Sequence, residues 1–298
     1  MPTSKKSRAI FFALLAAALY AINAPLSKLL LRDISATMMA ALLYLGACLG
    51  MLIVSLITKR TGAAVKEESL SKRDLPFVLG MIVLDIAAPI FLMLGLKSTS
   101  AANASLLNNF EIVATSVFAL MLFHETISRR LWLAIMLVSL SSVILFFEGR
   151  GSLQFSFGSV LVLLACVCWG LENNCTRVLS KKNPMEIVVL KGFGAGSGAL
   201  LIALSLGETF PRLAYAAGAL LLGSVAYGLS IFFYVHAQRE LGAAKTSTYY
   251  AVAPFIGAAL SLIIFRQLPT PAFLLALCVM IVGAYFASTQ GKRPGGQV

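Results

Sequence analysis

Charge is scarce in this sequence. Asp, Glu, Lys and Arg make up 12% of its 298 residues, against about 25% in a soluble domain. So small a polar complement cannot cover the exterior of a water-soluble fold of this length. Long polar segments are lacking too: the longest, 58–74, leaves no room for a soluble catalytic or binding domain. Acidic residues number 12 against 24 basic ones. That excess would suit a nucleic-acid partner if it formed one patch, but the basic residues lie between apolar runs, so no nucleic acid is expected. There is no Walker loop, dinucleotide fingerprint, HExxH or Ser/His/Asp arrangement. ATP-driven pumping within this chain is therefore unsupported, and neither a cofactor nor a metal is expected. The five cysteines (Cys48, Cys166, Cys168, Cys175, Cys278) all fall inside apolar runs. They read as small packing residues. Cys166 and Cys168 face different sides of a helix, which makes them a poor metal pair.

Apolar residues are abundant, at 59% of the chain with a mean hydropathy of +0.90. They come in repeated runs of about 20, the length that crosses a ~30 Å hydrocarbon core as a helix. The pattern predicts an all-α integral membrane protein of ten transmembrane helices, at 10–31, 34–57, 75–96, 101–123, 131–147, 157–178, 185–207, 214–237, 243–265 and 271–289. Lys5, Lys6 and Arg8 before the apolar run 10–19 resemble a signal peptide. The run continues past Pro25 to Leu31, however, and the first helix is expected to be retained. With the N-terminus inside, seventeen lysines and arginines lie in inner segments and five in outer ones, leaving aside Lys28 and Lys191 within apolar runs. The positive-inside rule then places both termini in the cytoplasm, in the cell inner (plasma) membrane.

The second half of the chain echoes the first. At an offset of 149, Tyr20 falls on Trp169, Asn23 on Glu172 and Lys28 on Arg177. At 148, Gly46 and Gly50 fall on Gly194 and Gly198, so both second helices carry a GxxxG. At 142, Phe91 falls on Phe233, Ser105 on Ser247 and Phe123 on Phe265. Two five-helix repeats are expected, 1–150 and 151–298. Because five is odd, the second must enter the membrane inverted, an arrangement suited to alternating access around a central cavity.

These features resemble the ten-helix EamA-type members of the drug/metabolite transporter superfamily, which include YddG-like amino-acid exporters. The resemblance rests on the two repeats and on Ser100-Ala101-Ala102-Asn103-Ala104-Ser105, with its counterpart Gly242-Ala243-Ala244-Lys245-Thr246-Ser247. It rests also on Phe123-His124-Glu125, similar to the family's Leu-Gly-Glu stretch. The chain departs from the family pattern in having Arg266-Gln267 where Gly-Glu is usual, and Glu111-Ile112 where a proline is common in the fourth helix. The resemblance implies export, and a cavity lined by helices 1, 3, 4, 6, 8 and 9 with helices 5 and 10 peripheral. The polar residues within the spans concentrate in those same six helices.

Ionisable groups at membrane depth are costly unless they are paired or wet, so each is a functional candidate. Asp85, Glu111, Glu172 and Lys191 qualify, with His236 near the end of helix 8. Ala104, Asn108, Glu111 and Thr115 form one helical stripe of small and polar residues. A carboxylate there, or at Glu172, could take up and release protons. Trp169 sits one helical turn before Glu172, a pairing that suits an organic ammonium. Glu172 could instead pair with Lys191, and Asp85 stands alone among apolar sequence neighbours. Tyr20 and Asn23 occupy the equivalent places in helix 1, and Tyr227, Tyr234 and Tyr250 add hydroxyl-bearing rings. The eleven expected substrate-binding residues are Tyr20, Asn23, Asp85, Asn108, Glu111, Trp169, Glu172, Lys191, Tyr227, Tyr234 and Tyr250. The expected partners are a small-molecule solute, the bilayer, protons and a second copy of the chain in a homodimer. The expected function is secondary transport of amino acids or similar metabolites. Its rivals are a multidrug or cation exporter and a membrane-embedded enzyme acting on lipids. The enzyme would need Asp or His clustered at a membrane face, and His124 with Glu125 is the nearest approach to that.

Overall fold

The computed structural model describes residues 2–60, 68–124, 127–146, 156–179, 182–241, 246 and 249–288. Among these every regular element is helical. Among the described residues seven helices are long and apolar enough to cross a membrane, and two shorter apolar helices lie at Ala253–Phe265 and Pro271–Ala287. Large apolar side chains such as Leu201, Leu221, Val83 and Ile263 point outward on these helices, as lipid-facing positions require.

Helix occupies most of the described part of each expected segment, but several segments are not single α-helices. The first divides at Ile22 into α1 (Pro2–Ala21) and α2 (Asn23–Leu30). Pro25 has no N–H to return to the carbonyl of Ala21, and Gly257 packs against that freed oxygen. The second is α3 (Ala36–Arg60) and the third α4 (Leu75–Ser98), which holds Pro89. The fourth divides at Asn108-Asn109 into α5 (Ala101–Leu107) and α6 (Phe110–Phe123). This break forms without a proline at the site. Next come α7 (Arg129–Phe146), α8 (Phe157–Leu179) and α9 (Pro184–Ser205). The eighth segment is α10 (Leu213–Gly223), a π-helical turn at Ser224–Leu229, and α11 (Ser230–Leu241). The ninth has turns at Ala251 and Val252 before α12 (Ala253–Phe265), and the tenth is α13 (Pro271–Ser288).

Small residues set the packing. A Cβ on Gly46 would lie 2.2 Å from the Leu220 carbonyl oxygen, and one on Gly223 would lie 2.0 Å from that of Leu43, so α3 and α10 meet backbone to backbone. Gly194 and Gly198, which match Gly46 and Gly50, receive the side chains of Ile82 and Ile86 of α4. Gly192 and Gly196 lie against α3. The central contacts are thus α3 with α9, α4 with α8, and α1 with α11, while α7 and α13 pair with each other. Ser141 of α7 donates to the Ala276 carbonyl of α13 at 2.7 Å.

Both ends of the bundle carry ties between distant segments. Glu208 accepts from Ser35 Oγ at 2.6 Å and from the Met38 N–H at 2.8 Å, capping the start of α3. At the other end Lys182 pairs with Glu68. There the Asn183 N–H donates to the Glu68 carbonyl at 2.9 Å, and the Leu70 N–H donates to Glu186 at 3.2 Å.

α6 and α12 both end on a left-handed residue, His124 (φ 51°) and Arg266 (φ 49°). The Gly-Glu stretch of the resembled family falls on these two caps. There a glycine would be unstrained, whereas an L side chain costs roughly 1–2 kcal/mol. Both residues are exposed, so little packing is lost on truncation. Arg266→Gly is expected to stabilise the protein by up to about 1 kcal/mol, after allowing for glycine's greater freedom when unfolded. Thermal denaturation in detergent measures this, and an unchanged or lower midpoint would contradict it. Glu125 lies outside the described residues.

Candidate functional site

Three buried charges meet at the centre. Lys191 of α9 lies 3.2 Å from Asp85 Oδ2 on α4 and 3.0 Å from Glu172 Oε1 on α8. Their relative exposures are 9%, 0% and 2%, so each depends on the others rather than on water. Asp85 is therefore not alone: its apolar sequence neighbours hide a partner that only the packing of α9 supplies. Pro89 cannot donate to the Asp85 carbonyl, which frees the helix backbone at that level. Tyr44 of α3 donates to Asp85 Oδ1 at 2.8 Å, and Trp169 Nε1 donates to the Tyr44 hydroxyl at 3.4 Å. Thr176 donates to Glu172. The ammonium that faces Glu172 is thus the chain's own, and Trp169 acts as a hydrogen-bond donor. Two of these groups, Tyr44 and Lys191, come from helices 2 and 7, outside the six helices expected to line the cavity.

Glu111 sits apart from this cluster. It accepts from Asn173 Nδ2 of α8 at 2.6 Å, and the same amide reaches Thr115 Oγ1 at 3.2 Å. Asn174 donates to the Thr115 and Gly170 carbonyls at 3.2 and 2.8 Å. α6 and α8 can come this close because a Cβ on Gly170 would lie only 2.4 Å from that of Ala114. Among the described residues no cation lies within 4 Å of Glu111.

The tyrosines cluster where the backbone is irregular. Tyr227, on the π-helical turn, contacts the rings of Tyr20 (5.9 Å) and Tyr44 (5.1 Å). Tyr250, just before the turn at Ala251, contacts Tyr20 (6.0 Å) and Tyr234 (5.0 Å). Asn23, at the start of α2, donates to the Tyr227 hydroxyl at 3.0 Å and accepts from Ser27 at 3.0 Å. Beside them lies a cavity of about 10 Å³, lined by Tyr20, Ala21, Asn23, Ala24, Ser105, Asn108, Ala253, Pro254 and Gly257. That is room for roughly one water. Asn109, at the break between α5 and α6, is 1% exposed, and its side-chain amide has no hydrogen-bond partner among the described residues.

The structure thus divides the eleven expected residues among three neighbouring groups. Asp85, Glu172, Lys191 and Trp169 form the ion cluster. Glu111 lies across α8 from it. Tyr20, Asn23, Asn108, Tyr227, Tyr234 and Tyr250 surround the interrupted helices. Tyr44 bridges the first group and the third, and sequence reasoning missed it; a tyrosine two residues before a GxxxG was the available signal. Lys28 was passed over as well. It donates to the carbonyls of Leu96, Lys97 (3.3 Å) and Thr99 (2.9 Å), placing a positive charge at the C-terminus of α4. His236 stays within its own helix, bonded to the Phe232 carbonyl at 3.0 Å.

The EamA-like transporter family matches the chain over residues 7–147 and 156–289. A protein of Methanothermobacter thermautotrophicus described as an uncharacterized transporter is 27% identical over 238 residues, covering 76% of this chain and 68% of that protein. A solved crystal structure superposes with a TM-score of 0.69 at 16% identity, over 97% of this chain and 99% of the other.

Proposed function

The chain belongs to the EamA-like transporter family, and from that premise we propose that it is a secondary transporter working by alternating access, exporting amino acids or similar small organic metabolites. The observation that carries this reading is the convergence of interrupted helices on buried polar groups. The breaks at Ile22 and Asn108-Asn109, the π-helical turn around Tyr227 and the turn after Tyr250 bring Tyr20, Asn23, Asn108, Tyr227 and Tyr250 together. Discontinuous helices of this kind supply free backbone groups to solute sites near the bilayer midplane.

Several pairings support two inverted repeats, 1–150 and 151–298, of five membrane helices each. The family matches the chain in two segments. The left-handed caps His124 and Arg266 are 142 residues apart, as are Phe123 and Phe265. The contact of Gly170 with Thr115 has its counterpart in that of Ala21 with Gly257. Ser35 and Asn183, 148 residues apart, begin the second helix of each half, and each is tied to an acidic residue of the other half, Glu208 or Glu68. Two equivalent packings that can be exchanged are what alternating access requires. The excess of basic residues in the proposed inner segments supports cytoplasmic termini.

In this reading Glu111 receives the ammonium of the solute. That Glu111 has no cation within 4 Å among the described residues also supports a second reading, export of organic cations. Tyr20, Tyr227 and Tyr250 lie near enough to feel the charge of Glu111, and aromatic faces attract ammonium groups.

The test is radiolabelled flux into proteoliposomes with a panel of amino acids and organic cations, with and without a pH gradient. Specific, saturable uptake of an amino acid is expected. No uptake of any panel member by folded protein would sink the proposal, and uptake of cations alone would favour the second reading. Glu111→Gln should raise the KM for an ammonium-bearing solute about tenfold to a hundredfold, the value of a hydrogen bond to a charged group. It should leave the response to pH gradient in place. An unchanged KM would remove Glu111 from solute binding.

A further inference from the structure

The charges of the buried cluster do not balance. Two carboxylates, Asp85 and Glu172, share one ammonium, Lys191. Among the described residues no other cation lies within 4 Å of either carboxylate. Asp85 is fully buried, and among the described residues its Oδ2 accepts no hydrogen bond, its one ion-pair partner being the Lys191 ammonium at 3.2 Å. The groups that surround the pair do not repair the deficit. Tyr44 of α3 and Thr176 of α8 offer neutral hydroxyls. Cys168 and Cys175 of α8 and Tyr227 of the π-helical turn feel the charge of Asp85 and bring no positive charge. Glu111 of α6 adds a further carboxylate within electrostatic reach of Glu172. With every group ionised, the cluster carries one negative charge in excess at membrane depth, where such a charge is steeply unfavourable.

We propose that the Asp85–Lys191–Glu172 cluster is a binding site for one proton, held on one of the two carboxylates that share Lys191, and that it is the seat of the coupling ion. The proton comes from the aqueous phase and adds to a carboxylate oxygen of Asp85 or Glu172. Lys191 keeps its own proton, and the cluster passes from one negative charge to none. A metal ion fits less well. The ammonium already occupies the space between the carboxylates, and no three metal-ligating side chains gather among the described residues. Releasing the proton would restore the excess charge and tighten the hold on Lys191. Because Asp85, Glu172 and Lys191 lie on α4, α8 and α9, this would bias the packing of α4 from one half against α8 and α9 from the other.

This inference deepens the transport reading by supplying its coupling ion, and it can be tested without any solute. The hydrogen-bond chain from Trp169 through Tyr44 to Asp85 provides an optical probe, because the other tryptophan, Trp132, lies exposed on α7 and can be replaced. In Trp132→Phe protein in nanodiscs, Trp169 emission should change once, sigmoidally, across the neutral pH range. Potentiometric titration should find one proton more taken up over that range by the parent than by Asp85→Asn or Glu172→Gln, the other groups of the chain contributing equally to all three. Asp85→Asn or Glu172→Gln leaves one carboxylate for one ammonium, so each should abolish both signals, while Asp85→Glu should retain them. Tyr44→Phe should lose the optical signal and keep the proton uptake. Folding of each variant is checked by its elution as a single species. Proton uptake over the neutral range that is absent from the parent, or unchanged in both Asp85→Asn and Glu172→Gln, would overturn the proposal. Either outcome would leave the transport reading to the flux assay.

Discussion

Lys191→Met is expected to cause the largest loss of stability of any single substitution in the central cluster. It removes the counter-charge of Asp85 and Glu172 together, and both are almost wholly buried. Breaking a buried ion pair by removing one partner typically destabilises by about 3–5 kcal/mol, because the remaining charge has neither water nor a partner. Here two charges are left. Thermal denaturation of the purified protein should show a large fall in midpoint, and solute flux should be lost. The triple variant Lys191→Met with Asp85→Asn and Glu172→Gln separates charge from shape. Neutral groups of similar volume should recover most of the stability, while pH-driven flux stays absent because the proposed proton site is gone. If the triple variant is as unstable as Lys191→Met alone, packing of the lysine stem rather than its charge holds the cluster together.

The second large effect concerns the seam between α3 and α10. Gly223→Ala and Gly46→Ala each place a methyl group well inside contact distance of a backbone carbonyl, at 2.0 Å from Leu43 and 2.2 Å from Leu220. Backbone cannot yield as a flexible side-chain tip can, so the two helices must separate. Overpacking of this kind costs about 1–3 kcal/mol. It would also weaken the hydrogen bond from Ser224 Oγ to the Gly46 carbonyl, now 2.7 Å. Gly218→Ala on the same α10 is the control. Its new methyl would meet only Leu30 Cδ2 at 3.6 Å, an ordinary contact, and alanine favours helix over glycine by about 1 kcal/mol. The two seam variants should therefore denature at lower temperature than the parent, and Gly218→Ala at the same or higher temperature. Equal behaviour of all three would mean that the seam is looser than its geometry implies.

The helix positions were legible because hydropathy is a local property. A run of about 20 apolar residues reports its own environment whatever it packs against; helix occupies most of the described residues of the expected segments, and seven of those segments hold helices long and apolar enough to cross a membrane. The interruptions were less legible. Pro25 signals the break near Ile22, yet Asn108-Asn109 breaks without a proline, and the π-helical turn around Tyr227 has no local marker. Close neighbours are found only in the packed fold: Gly257 lies against the Ala21 carbonyl, and Gly223, just before the π-helical turn, lies against that of Leu43. The His124 and Arg266 caps show the opposite case. The sequence departs there from the glycine of the resembled pattern, but the backbone keeps the glycine-like conformation.

The candidate site divides along the same line. By itself the sequence determined that this chain lies in a membrane, where its helices run, and which few ionisable residues must be accounted for at that depth, since the cost of burying charge depends on residue type and span position alone. Only the tertiary structure decided which groups meet. It gave Asp85 a partner in Lys191, linked Trp169 through Tyr44 to the same carboxylate, and left Glu111 with an amide instead of a cation. Charge pairing acts through a few ångströms of space between segments far apart in the chain. A one-dimensional pattern records the cost of each charge but not the neighbour that offsets it.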